Sequence, residues 1–196
     1  AGTVVKAQAG QGVDASALIV ARGGVLDARG TSAAPIIFTS ISDNVDDPAD
    51  LPTDARGLWG GVLLLGRAGL NTADTVAQVE GIPSTEPRGA DGGSVDDDSS
   101  GVLQYVSIRY GGSKLGEGNE INGLTMGAVG SRTVIEHVEV MNNDDDGFEW
   151  FGGTVGCKWL VSAFNSDDAF DYDEGFRGKG QFWFVLLSDV NGIGNR

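Results

Sequence analysis

A short motif recurs along this chain at nearly constant spacing. Asn122-Gly123-Leu124-Thr125-Met126, Asp146-Gly147-Phe148-Glu149-Trp150 and Asp168-Ala169-Phe170-Asp171-Tyr172 share one pattern. Each carries Asn or Asp, a small residue, a large apolar residue, a polar one and a second large apolar one. Their central apolar residues stand 24 and 22 positions apart. A second register precedes the first: Leu103, Val106 and Ile108 correspond to Ile135, Val138 and Val140, each 32 residues on. The longer interval is filled by an extension around Gly111 to Glu120. A period of 22 to 24 residues with several short strands is that of a parallel β-coil. Successive coils stack about 4.8 Å apart, so equivalent side chains form ladders. Leu124, Phe148 and Phe170 are expected to make one buried ladder, and Met126, Trp150 and Tyr172 another. Thr125, Glu149 and Asp171 are one residue out of phase and are expected to face outward. A β-sandwich gives no reason for repeats in the same phase.

The rest of the chain agrees with an all-β fold. Short apolar runs such as Leu18-Ile19-Val20, Ile36-Ile37-Phe38, Val62 to Leu65 and Phe182 to Leu187 are separated by Gly, Asn, Asp and Ser. No helical period is found. Glycine accounts for 32 of 196 residues, about twice the usual ~7%. A coil that turns several corners explains the excess, because a turn with φ > 0 costs glycine nothing. Two segments read as long polar loop insertions, 42–56 and 71–100. The expected architecture is a right-handed parallel β-helix with coils of about 22–24 residues and two loop insertions, forming one domain over 1–196. The first residues read as strand and the last lack a cap, so the domain is expected to be a fragment of a longer chain whose targeting signal lies elsewhere.

Charge narrows the function. Lys and Arg number 13 against 28 Asp and Glu, a net charge of -15. A polyanion repels phosphate backbones and anionic lipid, which argues against nucleic-acid binding and membrane docking. No run approaches the roughly 18 apolar residues of a membrane span. One cysteine excludes an internal disulfide framework.

Three segments carry a resemblance: Gly57-Leu58-Trp59-Gly60-Gly61-Val62-Leu63-Leu64-Leu65-Gly66, Asn119 to Thr125, and Asp145-Asp146-Gly147-Phe148-Glu149-Trp150-Phe151-Gly152-Gly153-Thr154-Val155. They resemble a family of secreted bacterial surface proteins and lipoproteins. That resemblance implies a right-handed parallel β-helix similar to pectate-lyase-like solenoids, and a location at the cell surface or in the medium. It supplies no catalytic residues.

Carboxylates cluster where the coils repeat. Asp144, Asp145, Asp146 and Glu149 fall one coil before Asp167, Asp168, Asp171 and Asp173. With coils about 4.8 Å apart, Glu149 is expected almost directly over Asp171. Two like charges at such range cost about 1 kcal/mol in bulk water and more near a protein surface. Full exposure, protonation, a metal ion or a neighbouring cation would offset that cost, with Lys158, Arg177 and Lys179 as candidate cations. These eight acids are the candidate metal ligands, and calcium is the expected ion because it takes about 6 to 8 hard oxygens in irregular geometry. The alternative is that Asn and Asp simply fill solvated corners of the coil.

Catalytic patterns are weak. The Asp145, Asp168 and Asp171 patch could supply the carboxylate pair of a hydrolase, but the Gly-His-Gly and Arg-Ile-Lys motifs of polygalacturonases are absent. A lyase needs a base beside its calcium, and nothing separates Arg109, Arg132 or Lys158 from surface charges. His137 is out of phase with Val138 and Val140 and is expected on the surface beside Glu139. Cys157 is expected to be buried and inert. Among the late aromatics, Phe151, Phe176 and Trp183 are the candidates for an exposed platform that stacks on sugar rings. The run Phe182 to Leu187 is too apolar for solvent and is expected to be covered by further chain or a partner. The expected role is a non-catalytic structural or adhesive module of an exported surface assembly, stacked on other copies or domains and stabilised by calcium. The competing expectations are a lyase-like carbohydrate-active enzyme and a glycan-binding module.

Overall fold

A computed structural model describes residues 1–80, 82–116 and 119–188. Two parallel sheets run the length of the molecule. The long sheet stacks Val4–Ala7, Ile36–Ser40, Gly101–Arg109, Val134–Met141, Gly156–Ala163 and Lys179–Leu186 in that order, with Leu26–Arg29 beside the first half of Gly101–Arg109. The short sheet stacks Leu18–Val20, Val62–Leu65, Leu124–Gly127, Phe148–Phe151 and Phe170–Asp173. Every pairing within these two sheets is parallel. The fold is a parallel β-helix.

The register follows the repeat. Leu124 pairs with Phe148 and Phe148 with Phe170, while Met126 pairs with Trp150 and Trp150 with Tyr172. Leu103, Val106 and Ile108 pair with Ile135, Val138 and Val140. Between the sheets these side chains form the core, in which Phe148 and Phe170 stack with ring centroids 5.4 Å apart and Trp150 and Trp183 lie 5.1 Å apart. Tyr172 departs from the expectation. It keeps its place in the ladder but is 67% exposed, because no described strand pairs with the far side of Phe170–Asp173. Phe182, Phe184, Leu186 and Leu187 are exposed at the same end of the stack.

Glycine shares the left-handed positions of the coil with other residues: Gly57, Gly112, Gly152 and Gly175 have positive φ, and so do nine non-glycine residues among those described. Each long strand bends in its middle at a residue with left-handed backbone: Tyr105, His137, Trp159 and Phe182 have φ of 50°, 54°, 54° and 61°. The pairing skips these residues, so the inward phase resumes one position late and Ile135 and Val138 both point inward. A left-handed conformation costs a side chain roughly 1–2 kcal/mol. Here the rings recover part of it by stacking on one another outside the coil. Tyr105 and His137 stack at 4.4 Å, His137 and Trp159 at 4.5 Å, and Trp159 and Phe182 at 5.5 Å. A glycine ladder would have no such contacts. Glycine is required instead where backbones crowd: a Cβ on Gly123 would lie 2.2 Å from the Val140 side chain and 2.8 Å from the Gly147 carbonyl oxygen.

The 71–100 insertion is more ordered than a polar loop. Val76–Gln78 and Ala90–Gly92 form an antiparallel hairpin. Val79 and Ile82 from this insertion pack with Leu63, Leu65, Ile121 and Phe151 in a second apolar cluster, on the outer face of the short sheet. The outward-phase residues there are consequently not solvated: Thr125 and Glu149 are both buried. The 42–56 insertion is tied to a coil corner, where Asn142 donates its side-chain amide to the carbonyl oxygens of Thr53 and Ala55 at 3.0 and 3.2 Å.

Candidate cation site

The turns before Phe148–Phe151 and Phe170–Asp173 carry buried asparagines, Asn143 and Asn165. The Asn143 amide N–H donates to the Asn165 side-chain oxygen one coil on, at 2.8 Å. Asn143 Nδ2 donates to the carbonyl of Asp146 at 2.8 Å, and Asn165 Nδ2 to Ser162 Oγ at 2.7 Å. These bonds fix the loops that carry Asp145-Asp146 and Asp167-Asp168. The strand that follows each loop places Glu149 and Asp171 opposite one another on the outer face.

The result is two groups of three carboxylates. Asp145, Asp146 and Asp167 bring one oxygen each within 4.8 Å of one another, and so do Asp146, Glu149 and Asp171. Asp146 belongs to both. Asn122 donates Nδ2 to Glu149 Oε2, and the Asp168 amide donates to Asp146 Oδ1 at 2.8 Å. Glu149 is 7% exposed. Burial, reinforced by Asp146 and Asp171, pushes the Glu149 carboxyl up to about 9. Burial and the neighbouring Asp145 push Asp146 up to about 8. Asp145 is pushed up to about 7 by burial, then by Glu120 and Asp167. Asp168 is raised by burial, Asp167 and Asp171.

Of the eight acids singled out in the sequence, five form these groups. Asp168 lies beside them. Asp144 faces elsewhere, accepting from Ser166 Oγ at 3.3 Å and approached by Lys114 at 3.9 Å. Asp173 is exposed and accepts from the Glu174 amide at 2.6 Å. The candidate cations Lys158, Arg177 and Lys179 form no ion pair with Asp145, Asp146, Glu149 or Asp171 among the described residues. Arg177 is committed to Asp96 at 2.9 and 3.0 Å, and Lys158 lies over the Trp159 ring at 5.9 Å on the long sheet. Among the described residues, no Lys or Arg forms an ion pair with Asp145, Asp146, Glu149 or Asp171.

Two acids were missed by sequence reasoning. Glu80 and Glu120 come from the insertion and from the hairpin before Asn122, and both add to the repulsion. Neither belongs to the repeat, so no period points to them. The Asn143 and Asn165 pair was legible, since its spacing of 22 residues is that of the coil.

The chain matches the model of the pectate-lyase-like β-helix domain over residues 1–195. It belongs to that family. No curated protein and no solved structure matches it. The other sites considered in this β-helix domain are placed as follows. His137 is held between the Tyr105 and Trp159 rings. Cys157 points into the core, where burial pushes its thiol up to about 12. Phe151 is buried, and Phe176 and Trp183 pack against the core, so these three candidates for a sugar-stacking platform are core residues instead. The aromatics on the outer side of the long sheet stack on each other along the coil axis, and His137 has both ring faces covered.

Proposed function

We propose that this β-helix domain is a non-catalytic structural or adhesive module of an exported bacterial surface protein, clamped by calcium at the Asp145, Asp146, Glu149, Asp167 and Asp171 cluster. One observation carries the reading: carboxylates from two successive coils converge, and among the described residues no Lys or Arg forms an ion pair with Asp145, Asp146, Glu149 or Asp171. Ionised together in a partly buried space, they repel strongly. Hard oxygens at irregular angles suit calcium, and the bound ion would neutralise the repulsion and cross-link the coils. Because Glu80 and Glu120 face the same cluster, the clamp would also fasten the covering segments to the stack. Among the described residues the terminal strands of both sheets pair on one side only, which suits a place among stacked copies or neighbouring domains.

Thermal unfolding with EDTA and after calcium add-back tests the clamp. The proposal requires a lower melting temperature in EDTA, restored by calcium but not by magnesium at equal concentration, because magnesium demands regular octahedral geometry. Indifference to both treatments refutes it. Incubation with acidic polysaccharides, monitored for unsaturated products, tests the non-catalytic part. Calcium-dependent product would replace this reading with a lyase.

A further inference from the structure

A second charged feature lies on the side of the coil where the Leu18–Val20 strand turns. Arg22 and Arg67 line one surface cavity of about 340 Å³ together with Gly92, Gly93, Ser94 and Val95. Four other arginines, Arg29, Arg88, Arg132 and Arg177, each approach a carboxylate within ion-pair distance. Arg22 and Arg67 form no ion pair among the described residues. Arg56 and Arg109 also lack an ion pair among the described residues but donate to the hydroxyls of Ser166 and Ser107; what sets Arg22 and Arg67 apart is that they share one cavity.

The backbone holds both in place. Arg22 donates Nη1 to the Gly92 carbonyl at 3.1 Å. The Arg67 amide donates to Asp98 Oδ2 at 3.0 Å, and its carbonyl accepts from the Val95 amide at 2.8 Å. Its guanidinium lies against Gly23, where a Cβ would fall 2.2 Å from Nη2. Position 23 has φ +85°, a backbone conformation that favours glycine. The carboxylate whose field Arg22 feels is Asp91, which is fully buried next to Gly92 and does not reach it. Arg22 and Arg67 both line the cavity, and an anion held there would be attracted by both charges. Guanidinium forks match the oxygens of carboxylate, sulfate and phosphate groups.

We propose that this cavity is an oxyanion-binding site in which Arg22 and Arg67 grip a sulfate, phosphate or carboxylate group, with the Ser94 hydroxyl at its rim. The dish is open, so the oxyanion is either free or an acidic substituent on a sugar. The net charge of -15 opposes non-specific anion binding, so any anion that binds is held locally. The site stands apart from the carboxylate cluster and does not depend on the calcium reading.

Titration of the intact chain with sodium sulfate at low ionic strength, followed by the arginine side-chain N–H resonances, tests it. The site predicts saturable shifts confined to Arg22 and Arg67. Arg22→Ala and Arg67→Ala each weaken binding by about tenfold or more, the scale of a lost charged hydrogen bond. Arg29→Ala, which removes an exposed arginine elsewhere, leaves it unchanged. A sulfated oligosaccharide that binds more tightly than sulfate assigns the oxyanion to a glycan, and equal or weaker binding assigns it to the free ion; either result supports the site. Absence of saturable shifts overturns it, as does equal affinity in all three variants. Circular dichroism of each variant confirms that it has folded.

Discussion

Glu149 stands directly opposite Asp171 on the next coil, and both carboxylates lie within 4.8 Å of Asp146. Without a cation, this arrangement favours protons. The fold raises Asp145, Asp146 and Glu149 to about 7, 8 and 9, from ordinary values near 4. The native state thus binds more protons than the unfolded chain between about pH 4 and pH 9. Their stabilising contribution is complete below that window and is lost as pH rises through it. In EDTA the melting temperature should therefore fall from pH 5 to pH 9. A rise across the same range would contradict the arrangement.

Calcium should reverse that dependence. Ligands must lose their protons to bind it, so affinity should increase with pH and binding should release protons. Calorimetry in two buffers of different ionisation enthalpy reads the release directly. Asp146 belongs to both carboxylate groups. Asp146→Asn should abolish most of the calcium effect, whereas Asp144→Asn, outside the groups, should leave it intact. At 100 times the dissociation constant, calcium should stabilise the protein by about 2.7 kcal/mol.

Asp91 makes a separate pH-sensitive contact. Its carboxyl is fully buried at the base of the insertion hairpin, and among the described residues neither oxygen accepts a hydrogen bond from another residue. Burial, with Glu174 adding to it and Arg22 opposing, pushes it up to about 7. Between pH 6 and pH 8 the hairpin should exchange its amide protons faster than pH alone explains, as Asp91 ionises. Asp91→Asn should remove that excess. Gly127 lies beneath the carboxyl, where a Cβ would sit 2.4 Å from Oδ2. Gly127→Ala should cost about 1–3 kcal/mol in denaturant unfolding, as overpacking does.

The outer aromatic ladder separates backbone strain from stacking. His137 has φ 54° and rings on both faces. His137→Asn loses the stacking but tolerates the left-handed backbone, costing about 1 kcal/mol. His137→Val loses both and should cost about 1–2 kcal/mol more. Equal losses in urea unfolding would show that the backbone conformation is not maintained.

Cys157 should be silent in the native state. It is buried, with its thiol pushed up to about 12. Ellman's reagent should react only after unfolding, so the thiol can serve as a clock for global opening. Prompt reaction in native buffer would mean that the long sheet opens locally.

The coil period, the register and the inner ladders, with exposed Tyr172 the exception, could be read from the residues alone. Leu124, Phe148 and Phe170 repeat in phase because each coil meets the same surroundings as the one before it. The outward phase of Glu149 and Asp171 followed from the same alternation. What covers them did not. The insertion that buries Glu149 has no period, and its hairpin takes its place through contacts with Leu63, Leu65 and Phe151, which are remote in sequence. Glu80 and Glu120 arrive at the carboxylates by that route. The left-handed bends at Tyr105, His137, Trp159 and Phe182 were equally hidden, since a lone aromatic gives no sign that it will stack on rings one coil away. Local alternation assigns each residue to the inside or the outside of the coil, because the backbone imposes it. Whether an outward residue meets water or another segment depends on distant chain, and only the tertiary structure brings that chain to it.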